Sequence, residues 1–311
     1  MRIDLTIVNT ASWGVKKYYF NYAKYLRNDN EIVYSKAKNK LLLHIIFNLK
    51  YLLYNRKIHT WFPTGIIPLF ATNFSVTIHD IIPLLNKNNF NWIYRLYLQT
   101  ILKFKLKHAK NVYVVSKTVA NNLTDTLGLK RDFIITYNFV NNLNDNWKSF
   151  KLDFPQNYFL FVGNFASHKG LNKLLELWEK QSYLLVCVID KGDSLCRNYG
   201  LNPNVVFLDK CDDDSLVSLY SLSSGLLFPS SHEGFGIPGI EANILNRRVI
   251  YNNIPVFKEI FSYTHKNICF DFNVENSESL KLILEDLVFD YELNQNLPSY
   301  FTSPNNFIVE C

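Results

Sequence analysis

The residues best suited to chemistry lie in the run FPSSHEGFGIPGIEAN, Phe228 to Asn243. An apolar stretch, Gly225 to Phe228, reads as a strand ending at Pro229. A turn follows, and a helix is predicted to begin near Ile237. The first turn of such a helix offers backbone N–H groups to an anionic or hydroxylated ligand. Gly234, Gly236 and Gly239 allow the main chain to approach a ligand closely. Glu233 on the loop and Glu241 about one turn into the helix can face one cleft, where carboxylates accept hydrogen bonds from vicinal hydroxyls of a sugar or ribose. The same residues also suit a purely structural turn.

Two further groups belong beside this run. Lys169 stands before Gly170 at a predicted helix start, a position where a point charge holds phosphate. His79 and Asp80 end the predicted strand FSVTIHD, and in parallel α/β sheets the strand tips face the ligand crevice. A histidine there serves either as a functional group or as a satisfied structural one. Asp212 to Asp214 precede a predicted helix and read as an N-cap with first-turn acids. No DxD pair falls at a strand end, so neither a metal nor another cofactor is expected.

The elements that must position these residues form two series. Ile3–Val8, HTWFP, FSVTIHD, Val112–Ser116 and Phe133–Val140 read as strands, alternating with helical spacing over Val15–Arg27 and KTVANNLTDTLG. A polar stretch, Asn141 to Gln156, reads as a linker. YFLFVG, LLVCVID, VVFLD, GLLFP and RVIYN then alternate with helices at about Leu171–Lys180, Ser215–Leu222 and from Ile237. Strands alternating with helices predict an α/β fold of two doubly wound parallel sheets, residues 1–150 and 151–311, with a ligand held in the cleft between them.

Charge separates the two halves. Residues 1–150 carry 21 Lys and Arg against 7 Asp and Glu, whereas residues 151–311 carry 12 against 20. A basic half suits nucleic acid, an anionic membrane surface or a phosphorylated acceptor. The basic residues are spread through helices without a nucleic-acid motif, so no nucleic-acid partner is expected. Trp92–Asn111 reads either as an interfacial helix with basic head-group contacts or as an ordinary core-facing helix. Leu41–Asn55 is similarly apolar, aromatic and basic. No window has the roughly 20 apolar residues of a membrane span; Thr60–Ile78 is broken by Pro63, Gly65 and Pro68. The five cysteines show no CxxC pair and read as reduced, buried small hydrophobes of a cytosolic protein.

EGFGIPGIEA, with Glu233 and Glu241 eight positions apart, resembles the signature of retaining GT-B glycosyltransferases, in particular glycosyltransferase family 4. The resemblance continues through YFLFVGNFASHKGLNKLLELW, VVFLDKCDDDSLVSLYSLSSGLLFPS, RRVIYNNIPVFKEIF and NICFDFNVENSESLKLILEDL. It is close over about residues 158–288 and looser in SWGVKKYYFNYAKYL, SVTIHDIIP, VYVVSKTVANNL and TYNFV. It implies a GT-B fold of two Rossmann-like domains, the first taking the acceptor and the second a nucleotide-sugar donor. It also implies that Glu233 contacts the transferred sugar, that Glu241 contacts the ribose, and that the backbone of Gly234, Phe235, Gly236 and Ile237 holds sugar hydroxyls. Lys169 would meet the diphosphate, His79 would lie near the sugar with Asp80 on the acceptor side, and Gly14 would let the first helix approach the phosphates.

The chain departs from that pattern at Asn164, where the family commonly places arginine, leaving His168, Arg247 or Arg248 as alternative second donors. Leu297–Cys311, with Pro298 and Pro304, does not match the family's closing crossover helix. The implied activity is metal-independent, retaining transfer of a hexose to a saccharide acceptor linked to a lipid diphosphate. Its setting would be bacterial surface-polysaccharide assembly (O-antigen, capsule or lipopolysaccharide), at the cytoplasmic face of the cell membrane. A sugar-nucleotide epimerase and a non-catalytic partner of the same fold are the competing readings.

Overall fold

Parallel strands covered by helices on both faces are written as unbroken apolar runs, and YFLFV and GLLF are of that kind. A computed structural model of the chain describes residues 1–6, 13–23, 30–33, 40–53, 57–86, 90–140, 158–189, 202–209, 211–263, 267–273 and 275–289. They fall into two compact units, one within Met1–Phe139 and one within Val140–Thr302.

In the first unit the strands are β1 (Arg2–Asp4), β2 (Glu31–Val33), β3 (Thr60–Phe62), β4 (Phe74–Ile78), β5 (Val112–Val114) and β6 (Ile134–Ile135). They pair in the order β2-β1-β3-β4-β5-β6, every pairing parallel. The helices are α1 (Trp13–Ala23), α2 (Lys40–Leu53), α3 (Ile82–Leu85), α4 (Trp92–His108) and α5 (Lys117–Leu127). Ser116 caps α5 by accepting from the Val119 N–H at 3.1 Å, and Gly128 ends it in the left-handed region at φ 59°.

The second unit has β7 (Tyr158–Val162), β8 (Leu184–Val188), β9 (Val205–Leu208), β10 (Gly225–Phe228), β11 (Val249–Asn252) and β12 (Ile268–Phe270). Its helices are α6 (Leu171–Trp178), α7 (Asp213–Leu222), α8 (Ile237–Ile244), α9 (Pro255–Phe261) and α10 (Ser277–Phe289). The strand order is β9-β8-β7-β10-β11-β12, again all parallel. Numbered from β7, that is 3-2-1-4-5-6, the order of dinucleotide-binding sheets. One face of the core packs Phe159, Phe161, Leu174, Trp178, Leu185 and Leu284. Trp178 is fully buried and spends its indole N–H on the Tyr183 carbonyl at 2.9 Å.

The expected α/β class with two parallel sheets therefore forms. Three strands are shorter than their apolar runs. Residues 7 and 8 lie outside the described residues, β5 stops at Val114, and β6 keeps only two residues because it is an edge strand that pairs with β5 alone. The Asn141–Gln156 linker and the Leu297–Cys311 segment also lie outside the described residues. The reading of every cysteine as a buried hydrophobe holds for Cys187 and fails for Cys269, which is exposed at edge strand β12.

Candidate functional site

Strand order in the second unit reverses between β7 and β10, so the loops after these two strands open side by side at the carboxyl edge of the sheet. After β7 the Asn164 carboxamide accepts from the Ala166 N–H at 3.0 Å and turns the chain into one turn of 3₁₀ helix, Ser167–Lys169. Gly170 then starts α6 with φ 73°. A β-carbon on Gly170 would lie 2.3 Å from the Pro229 carbonyl oxygen, so this glycine is where the two loops meet. Ser231 stitches them further by donating its N–H to the His168 carbonyl at 2.8 Å. Asn252, buried at the end of β11, donates to the carbonyls of Pro229 and Ser230 at 3.4 and 3.2 Å.

This stitching brings Lys169 and Glu233 together. The Lys169 ammonium lies 2.6 Å from Glu233 Oε1, and Ser230 Oγ donates to the same oxygen at 2.9 Å. The side chains are 24% and 11% exposed, so the pair is mostly shielded from water. Glu241 is turned inward. It is 1% exposed on α8 and accepts a hydrogen bond from the Tyr220 hydroxyl of α7 at 3.1 Å. Burial and the neighbouring carboxylate push the Tyr220 hydroxyl well above its ordinary value, which keeps it a donor. Tyr220 and Asn252 are positioning residues that sequence reasoning missed. The NN at the end of β11 was the available signal for Asn252; an aromatic on a helix gave none for Tyr220.

Two glycines of this loop have a packing role. Gly236 has φ 105°, and a β-carbon there would meet Phe257 at 3.0 Å and Phe228 at 3.1 Å. At Gly239 it would lie 2.2 Å from the Phe261 ring. Both glycines are thus required by aromatic packing beneath the loop. Gly234, Phe235, Gly236 and Ile237 are all buried.

Two of the alternative diphosphate donors are misplaced. Val249 pairs with Leu226 in the parallel β10–β11 ladder. Arg247 and Arg248, which precede Val249, therefore lie at the amino edge of the sheet, opposite Glu233. There the Arg247 guanidinium donates to the Ser221 carbonyl, and Arg248 lies 3.9 Å from Asp286. Asp212 caps α7 as expected, accepting from the Ser215 N–H at 2.8 Å, and hydrogen bonds from the Ser215 side chain and N–H lower its carboxyl pKa. Among the described residues no group of three or more His, Cys, Asp or Glu could hold a metal ion.

His79 and Asp80 stand in the first unit, at the end of β4. His79 Nε2 donates to the Pro63 carbonyl at 2.7 Å, which leaves the lone pair on Nδ1, and the ring meets Tyr18 edge-on at 4.8 Å. The Tyr18 hydroxyl is shared with Thr77 and Thr136 at 3.5 and 3.3 Å, and burial pushes its pKa up to about 12. Asp80 is exposed and accepts from the Ile82 N–H at 3.0 Å, turning the chain into α3. Gly14, expected in a loop, is the second residue of α1.

Burial lowers the His79 pKa to about 4. As pH falls below about 6.5 the unfolded chain takes up this proton first. The stability contributed by neutral His79 is therefore present above that value and lost progressively toward pH 4. The wild-type protein is expected to lose roughly 2 kcal/mol more between pH 7 and pH 5 than His79→Gln, whose amide can still donate to Pro63. Urea unfolding of both proteins at the two pH values checks this; equal losses would remove His79 as the cause.

With this geometry in hand, comparison with known proteins identifies the class. Residues 145–301 match the family described as glycosyl transferases group 1, and the chain belongs to that family. Lys169, Glu233 and Glu241 all fall inside the matched region. The chain is similar to the O-antigen chain mannosyltransferase RfbU of Salmonella typhimurium, 31% identical over 253 residues, which span 78% of this chain and 66% of that protein. It is similar to the serotype-specific mannosyltransferase WbdA of Escherichia coli, 37% identical over 148 residues, 44% of this chain and 18% of that protein. It thus spans just under two thirds of the first relative and under a fifth of the second. HepE of Anabaena, crystallised with UDP-glucose, shares the fold with a TM-score of 0.66 at 14% identity, over 93% of this chain and 90% of that one.

Proposed function

We propose that the chain is a retaining glycosyltransferase that moves a hexose from a nucleotide sugar to a saccharide acceptor in bacterial surface-polysaccharide assembly. The observation that carries this reading is the pairing of Lys169 with Glu233 at the switch point of a sheet with dinucleotide-binding order. In the free chain each is the other's counter-ion. A donor diphosphate would replace the carboxylate as the partner of Lys169, releasing Glu233 to accept from sugar hydroxyls. The acceptor oxygen bonds to the anomeric carbon as the carbon–oxygen bond to the diphosphate breaks. The acceptor proton passes to the departing phosphate oxygen on the same face. Lys169 then meets the charge on the leaving group. Glu241 is the ribose acceptor in this reading, with Tyr220 fixing its orientation, and His79 with Asp80 serves the sugar and acceptor side.

Mannose is the first sugar to test, because RfbU and WbdA are named mannosyltransferases. A thermal-shift panel of nucleotide sugars is expected to give one donor that raises the melting temperature by several degrees while the matching free hexose does not. No shift with any donor would count against the reading.

The second partner we propose is an anionic membrane at the cytoplasmic face, presenting a lipid-diphosphate-linked acceptor. Among the described residues no helix is long and apolar enough to cross a membrane. The first unit instead exposes Ile45, Ile46, Leu49, Leu52 and Leu53 along one stripe of α2, and Trp92, Ile93, Leu96 and Phe104 along α4. The two helices are tied through one loop. Asn48 accepts from the Leu69 N–H at 2.8 Å, and Lys105 donates to the carbonyls of Leu69 and Ala71. Exposed apolar stripes of this extent mark an interaction surface. Residues 40–110 contain ten Lys and Arg and a single acid, Asp80, which matches anionic head groups at about 1 kcal/mol per basic residue near the surface. The protein is expected to float with vesicles containing phosphatidylglycerol and not with phosphatidylcholine alone. Leu49→Glu with Leu53→Glu should reduce binding about tenfold or more. Equal flotation of wild type and variant would exclude this surface.

A further inference from the structure

The charge at the stitched loops does not suit a nucleotide sugar as it stands. A diphosphate diester brings two negative charges, whereas Lys169 and Glu233 sum to zero. Asn164, where the resemblance leads one to expect arginine, is neutral and spends its side chain on the Ala166 N–H. Arg247 and Arg248 lie at the other edge of the sheet. Beside the pair stand two imidazoles, one from each loop.

His168 is the middle residue of the 3₁₀ turn that carries Lys169, and its carbonyl is pinned by the Ser231 N–H. No described residue takes either of its ring nitrogens. His232 immediately precedes Glu233, and its Nδ1 lies 3.1 Å from Ser231 Oγ, which leaves Nε2 without a partner among the described residues. The two rings thus stand beside the Lys169–Glu233 pair, and each is half-buried. The charged and titratable groups facing His168 are Lys169, Glu233 and His232; Glu233 faces His232.

We propose that His168 and His232 together stand in for the missing arginine, gripping the donor diphosphate as imidazolium ions whose protons arrive with the ligand. The inference rests on the donor reading given above and adds His232 and a pH dependence to it. In the free chain burial lowers both imidazole pKa values, and for His168 Lys169 lowers it further, so both rings are neutral near pH 7. A bound diphosphate places negative charge against both rings and raises their proton affinity. Binding is therefore linked to proton uptake and strengthens as pH falls. Each ring whose pKa the ligand raises by one unit contributes about tenfold in affinity at pH values below both its free and bound pKa.

The test is isothermal titration of GDP-mannose and UDP-glucose into the full chain from pH 5.5 to 8.5. Both phosphates of these donors are diesters, so the ligand's own charge is constant across the range. The probes are applied to the wild type, His168→Gln, His232→Gln and the double variant, each checked for an unchanged melting temperature. The donor that binds is expected to bind about tenfold or more tightly at pH 6 than at pH 8. It should take up protons on binding, measured as a buffer-dependent enthalpy, and both effects should shrink in each single variant and vanish in the double variant. Wild-type affinity independent of pH, or an undiminished slope in the double variant, would overturn the inference and leave the donor reading intact. Binding of neither donor at any pH would overturn the donor reading and this inference with it. Should the variants fold poorly, the wild-type slope and proton uptake still decide the matter.

Discussion

Lys169→Ala is expected to lower kcat for sugar transfer by about a hundredfold or more, with a smaller change in donor KM. A cation placed where charge develops in the transition state is worth that much in a shielded site, and the 24% exposure of Lys169 is shielding of this kind. Glu233→Gln should cost a similar factor. Although the two side chains are partners at 2.6 Å in the free chain, the donor separates them in the proposed mechanism, so their losses should roughly multiply in the double variant. Steady-state kinetics on the three variants, with melting curves to show that each is folded, checks the expectation. Full turnover in Lys169→Ala would mean that the pair is a structural contact and no more.

The second large effect is on stability. Gly170→Ala should destabilise the second unit by about 3 kcal/mol or more, since alanine at φ 73° costs roughly 1–2 kcal/mol and overpacking adds a further 1–3. Relief is unavailable at this position because the nearest atom, the Pro229 oxygen at 2.3 Å, is backbone held in turn by Asn252. The substitution should also separate Lys169 from Glu233, so transfer falls at temperatures where the fold survives. Asn164→Ala, on the exposed side of the same loop, should cost under about 1 kcal/mol. Urea unfolding of both variants provides the comparison; a Gly170→Ala protein as stable as wild type would show that the loops are not locked where they meet.

How much of this was legible beforehand depended on how each feature is encoded. β7, β10 and α6 were readable because their apolar runs are buried and long enough to show a period. β2 and β12 went unassigned: each is a three-residue edge strand, too short for a pattern. Lys169 and Glu233 were each legible as chemistry, but their pairing was not, because the residues are 64 apart and meet only through the crossover that sets β7 beside β10. Tyr220 and Glu241 come from two different helices, and nothing in either segment announces the contact. Arg247 and Arg248 were misjudged for a reason the sequence could have supplied. Residues that precede a strand in a parallel sheet lie at the edge opposite those that follow one. Gly236 and Gly239 were legible as necessary, and of the two causes read for them packing is the visible one, since the rings of Phe228, Phe257 and Phe261 fill the space where their side chains would go.

The most direct test of sugar transfer at this site uses a nucleotide hexose labelled in the sugar, the purified chain, and membranes carrying lipid-linked saccharide. The expected result is label passing into the lipid fraction with one nucleoside diphosphate released per sugar. The new linkage should keep the anomeric configuration of the donor, and transfer should be lost in Lys169→Ala. Conversion of the donor to an isomeric nucleotide sugar without acceptor would make the chain an epimerase. Donor binding without turnover on any membrane fraction would make it a non-catalytic partner, and either outcome would contradict the account.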